Sequence, residues 1–82
     1  MPKLNQAQLR ALLEFYEIHG DGWKSALTYA WRTRRYQNLR PGVALCLKQI
    51  RETHGWAWLI TADIKDIAAQ ICTHQAPTAT LH

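Results

Sequence analysis

From Gly22 to Arg51 the chain contains no aspartate and no glutamate. An ordinary solvated helix face mixes charges of both signs, so a long acid-free stretch argues against a merely solvating role for its basic residues. Long apolar runs are missing too. The segment Trp56-Ala57-Trp58-Leu59-Ile60 falls far short of the roughly 18 residues that a membrane span requires. The opening residues, Met1-Pro2-Lys3-Leu4-Asn5, lack the apolar stretch of a secretory signal, and a cytoplasmic location without membrane association is expected. Cysteine is scarce. Cys46 and Cys72 lie within amphipathic patterns and form no C-x-x-C pair, so each reads as a small buried apolar group rather than a disulfide partner. No glycine-rich phosphate loop and no nucleophile elbow occur.

These gaps exclude most enzyme classes. His19, His54, Cys46 and Cys72 are zinc-ligand types, but their scattered spacing defines no site, and neither metal nor cofactor is expected. Cys72-Thr73-His74 places a thiol near an imidazole without an orienting group, so no catalytic residue is assigned and the chain is read as a non-enzyme.

What is present is a core and a charge. With 82 residues and 48% hydrophobic content, the chain can build one modest globular domain. Lys24, Arg32, Arg34, Arg35, Arg40, Lys48 and Arg51 give the acid-free middle a charge of +7, while the flanks carry −3.

Hydrophobic periodicity predicts an all-α fold, a compact four-helix domain built from two helical hairpins over residues 1–74, with 75–82 as a flexible tail. A first helix is expected from about Gln6 to His19. Asn5 and Gln8 form a capping box, Leu4 and Leu9 a hydrophobic staple, and Gly20 ends the helix. A second helix should begin after Asp21 or Gly22 and end near Tyr36, with Gln37 to Leu39 as a connection. A third starts near Pro41 and closes at Gly55. Residues 56–60 read equally as extended or helical. Thr61 is the expected cap of a fourth helix carrying Ile64, Ile67, Ala68 and Ile71 at helical spacing. The predicted core is Leu9, Leu12, Leu13, Tyr16, Trp23, Leu27, Trp31, Val43, Leu47, Ile50, Ile64, Ile67 and Ile71. An echo of the form E-x-H-G-x-x-W links Glu17–Trp23 with Glu52–Trp58 and supports two similar helix–turn–helix units.

The second helix is the candidate site. Lys24, Thr28, Arg32 and Arg35 recur on one face, with Ser25, Tyr29 and Tyr36 beside them. Arg34 falls toward the apolar side, and Arg40, Lys48 and Arg51 extend the basic surface. Lysine and arginine meeting phosphates supply most nucleic-acid affinity. A small regulatory nucleic-acid-binding domain is therefore the favoured expectation. Over Leu12 to Tyr36 the glycine-containing turn and basic second helix resemble a DNA-binding helix-turn-helix in a generic way. Tyr16 departs from that motif, which has a small residue four positions before the turn glycine, and no family is assigned. The alternative is a protein-interaction module, an adaptor or inhibitor that docks on an acidic surface of a larger partner. Tyr36, Trp56 and Trp58 are candidate aromatic contacts in either case. A homodimer would double so small a footprint.

Overall fold

The computed structural model describes the backbone of residues 2–36 and 38–79 and the side chains of residues 2–36 and 38–71. Its elements follow the chain as α1 (Gln6–His19), a 3₁₀ turn (Gly20–Gly22), α2 (Trp23–Thr33), α3 (Pro41–His54), a second 3₁₀ turn (Ala57–Ile60) and α4 (Ile64–Ala79). The chain is mostly helical, and no strand occurs among the described residues.

The first helix begins and ends where its caps dictate. Asn5 Oδ1 accepts from the Gln8 N–H at 2.7 Å, and the Asn5 N–H donates to Gln8 Oε1 at 3.0 Å. Two otherwise orphaned donors are satisfied by that exchange. Leu4 and Leu9 are both buried, as the staple requires. At the other end Gly20 takes φ +65° and its N–H reaches Tyr16 O. The third helix repeats this ending: Gly55 takes φ +66° and its N–H reaches Arg51 O. α1 and α3 are both 14 residues long, and each is followed closely by a 3₁₀ turn. The E-x-H-G part of the sequence echo therefore corresponds to one helix ending used twice, while beyond the glycines Trp23 opens α2 and Trp58 lies within the second 3₁₀ turn.

α1 is the hub. The principal helix–helix contacts among the described residues run from α1 to α4, to α3 and to α2. Leu9, Leu12, Leu27, Trp31, Leu47, Ile50 and Ile67 are fully buried between these elements. Leu13, Tyr16 and Ile64, expected in the core, pack against it while remaining partly exposed. Phe15, Leu4, Ala11, Ala30, Leu59 and Ala62 are buried as well. Phe15 joins because the buried stripe of α1 is broad and takes the residue three beyond Leu12.

Three element boundaries differ from the sequence reading. α2 ends at Thr33, not near Tyr36, because Arg34 adopts the left-handed conformation (φ +58°, ψ 32°) and its N–H closes on Ala30 O. At the start of α4 the cap is Asp63, whose carboxylate accepts from the Lys65 N–H at 2.9 Å. Thr61, the expected cap, belongs to the preceding turn, where its hydroxyl donates to Trp58 O at 3.2 Å. The backbone of α4 runs on to Ala79, into the segment 75–82 read from the sequence as a flexible tail. The remainder of that tail, 80–82, lies outside the described residues.

Residues 56–60 are neither a strand nor part of α4. From Ala57 to Ile60 they form a short 3₁₀ turn that buries Leu59 and exposes Ile60. No helix among the described residues is long and apolar enough to cross a membrane.

Candidate functional site

Trp31 organises the region around the basic helix. It is completely buried, and its indole N–H donates to Leu47 O at 3.0 Å, tying α2 to α3. Trp56 stacks on it with ring centroids 5.9 Å apart and planes 17° from parallel. Trp58 meets it edge-on at 6.2 Å. The Trp58 N–H donates to Gly55 O at 2.7 Å. Aromatic pairs of these geometries stabilise beyond simple burial, by about 0.5–1.5 kcal/mol each. Residues 55–59 are thereby fixed against α2 and the core.

That placement creates an open groove of about 1070 Å³. One wall is the face of α2 carrying Lys24, Ser25, Thr28, Tyr29 and Arg32. The other is Gly55, Trp56, Ala57, Leu59 and Ile60. Lys24, Thr28 and Arg32 share a wall because residues four apart lie on one helical face. Lys24 is half-buried and its ammonium reaches across to donate to Ile60 O at 3.2 Å, leaving two of its three N–H donors. The Thr28 hydroxyl donates to Lys24 O at 2.8 Å, so it offers a ligand only its acceptor lone pairs. Arg32 is exposed at the other end of the wall. Between the two cations in the helix sequence stands Tyr29, 63% exposed, and the other wall carries Ile60, 81% exposed.

The remaining sequence candidates are dispersed. Arg35 lies beyond the end of α2 and lines a separate hollow of about 520 Å³ with Phe15, His19, Tyr36 and Leu39. Tyr29 and Ser25 line that hollow too, so they form the ridge between the two concavities. Arg34 is exposed at the left-handed cap, and Lys48 is exposed on α3. Arg40 makes an ion pair with Glu14 of α1, with Arg40 Nε donating to Glu14 Oε2 at 3.1 Å, so its charge is offset within the fold. Arg51 sits over the Trp56 ring at 5.4 Å, and its buried Nε has no hydrogen-bond partner among the described residues. Burial raises the Tyr36 hydroxyl above its ordinary pKa of 10.0, against the lowering pull of Arg51.

Trp56 and Trp58, candidate aromatic contacts whose exposure the sequence left open, are both held by neighbours in the fold. The Trp56 ring is engaged by Trp31 and by Arg51, and Trp58 is engaged by Trp31 and Gly55. Both are partly buried and pack on the core. Trp56 reaches the groove as part of its wall, and Trp58 does not line it. The exposed aromatic beside the cations is Tyr29. Its position on the basic face of α2 was readable from the helical wheel, whereas its sharing a groove with Ile60 was not.

Cys46 is a free, half-buried thiol on α3. The Cys72 side chain lies outside the described residues. Comparison with protein-family models, with curated proteins and with solved structures finds no match for this chain.

Proposed function

We propose that this chain is a non-enzymatic, regulatory nucleic-acid-binding domain that engages phosphates through the exposed face of α2. The observation that carries this reading is the state of its cations. Lys24, Arg32, Arg34, Arg35, Lys48 and Arg51 make no ion pair among the described residues, where Arg40 with Glu14 is the only pair. All belong to the acid-free stretch, and only at its two ends, at Asp21 and Glu52, does an acid stand near any of them in sequence. A polyanion supplies what the fold withholds, and release of its counterions drives the association. The reading as a non-enzyme rests on the lack of any catalytic motif in the sequence. A cytoplasmic setting is part of the proposal and is supported by the free thiol of Cys46. The architecture is read with it as a four-helix domain of two related units, supported by the equal lengths and matching glycine caps of α1 and α3. A homodimer would place two such basic faces on one ligand.

One observation favours a second reading. The wall of the groove facing the cations is apolar, with Ala57, Leu59 and Ile60. A protein-interaction module would use it to seat apolar anchors of a partner segment whose carboxylates meet Lys24 and Arg32. Fluorescence anisotropy separates the two. Titration into labelled duplex and single-stranded oligonucleotides, at low and physiological salt, should show micromolar binding that weakens with salt. Arg32→Glu combined with Arg35→Glu should abolish it. Unchanged affinity in that double variant would sink the nucleic-acid reading.

A further inference from the structure

We infer that the nucleic acid taken by the α2 groove is a single strand, one of whose bases stacks on Tyr29 in a groove that also exposes Ile60, while flanking phosphates meet Lys24 and Arg32. The inference rests on the nucleic-acid reading above and deepens it.

Three features of the groove point this way. Its cations are not on a protruding ridge. Lys24 and Arg32 stand on one wall of a concavity, and Lys24 is anchored across it to Ile60 O at 3.2 Å. A duplex is read by an element that enters its groove, and its exposed backbone offers phosphate and sugar but no apolar face. Ile60, 81% exposed at the rim, has nothing to meet on such a surface. A single strand differs because its bases can be splayed out and stacked on aromatic side chains.

The second feature is the position of Tyr29. It stands 63% exposed, three residues before Arg32 and five after Lys24 on the same helix, so a base on its ring has a cation on either side of it along the helix for its flanking phosphates. Lys24 and Arg32 are separated by roughly 12 Å of helix rise, a span that a flexible strand can bridge. The third is the engagement of Trp56 by Trp31 and Arg51, which takes that ring out of competition as a stacking surface and leaves the tyrosine.

The test uses the full chain with a labelled mixed-sequence strand of about 12 nucleotides, as DNA and as RNA, and a hairpin duplex of the same sequence. Wild type, Tyr29→Ala, Tyr29→Phe and Arg32→Ala are titrated across a salt series. The expected result is tighter binding to the single strand than to the duplex. Tyr29→Ala should weaken it roughly tenfold with no change in salt slope, and Tyr29→Phe should restore it. Arg32→Ala should instead flatten the slope by about 0.7, the share of one phosphate contact on a single strand. Circular dichroism of Tyr29→Ala should match wild type, since the side chain is exposed. If duplex binds as tightly and Tyr29→Ala has no effect while Arg32→Ala flattens the slope, the single-strand inference falls and the nucleic-acid reading stands. Failure of every oligonucleotide to bind at low salt overturns both and assigns the groove to an acidic protein segment.

Discussion

Replacing Arg34 with glycine should stabilise the fold. α1 and α3 both end on glycines at φ near +65°, yet α2 ends on an arginine at φ +58°. A residue with a Cβ pays about 1–2 kcal/mol to occupy the left-handed region. Glycine removes that cost but makes the unfolded chain more flexible, which returns about 0.5–1 kcal/mol. Loss of a cation beside the helix C-terminus returns about 0.3 kcal/mol more. The balance is a gain of about 0.5 kcal/mol, equivalent to a rise in Tm of about 2–4 °C for a domain of this size. Alanine is the decisive control. It removes the same guanidinium but keeps the Cβ, so Arg34→Ala should be less stable than Arg34→Gly by about 1 kcal/mol. Urea denaturation followed by tryptophan fluorescence measures all three proteins. If Arg34→Gly proved no more stable than Arg34→Ala, the left-handed cap would not be the source of the cost. The same substitution bears on function. Strain retained where glycine would relieve it suits a residue kept for its charge. Arg34→Gly should then gain stability while losing oligonucleotide affinity.

Other outcomes follow from the geometry. Gly55→Ala should destabilise by about 1 kcal/mol through backbone conformation alone, because a Cβ built there meets nothing within 4 Å; thermal denaturation checks it. Leu47→Ala removes a fully buried side chain and should cost about 2–5 kcal/mol, read from the urea midpoint. For Tyr36, burial favours the neutral phenol in the fold and raises its pKa above 10.0. Its contribution to stability is whole below that pH and is lost as pH rises through the folded-state value. Ultraviolet titration should show a phenol ionising late, and Tyr36→Phe should remove it.

Much of the fold was legible because its signals are local. Asn5, Gln8 and Gly20 set the ends of α1, and Pro41 and Gly55 set those of α3, each by chemistry confined to one turn. The end of α2 was not legible, since arginine is no signal for a left-handed cap. Asp63 displaced Thr61 as a cap because the 3₁₀ turn absorbed Thr61 first. The candidate site was legible by halves. Helical spacing put Lys24, Thr28 and Arg32 on one face, but it carried Arg35 along only by assuming a helix that Arg34 stops. The offset of Arg40 by Glu14, 26 positions away, and the meeting of Ile60 and Tyr29 in one groove depend on long-range packing. No pattern within a single segment reports them.

The fixing of Trp56 and Trp58 against Trp31 has a kinetic consequence. The far wall of the groove is not a loop that closes over a ligand, because moving it would separate stacked indoles and break into the core. The site is already formed before a ligand arrives, so little ordering cost falls on binding. Association should accordingly be limited by encounter and orientation, proceeding in one concentration-dependent phase without a slow rearrangement after contact.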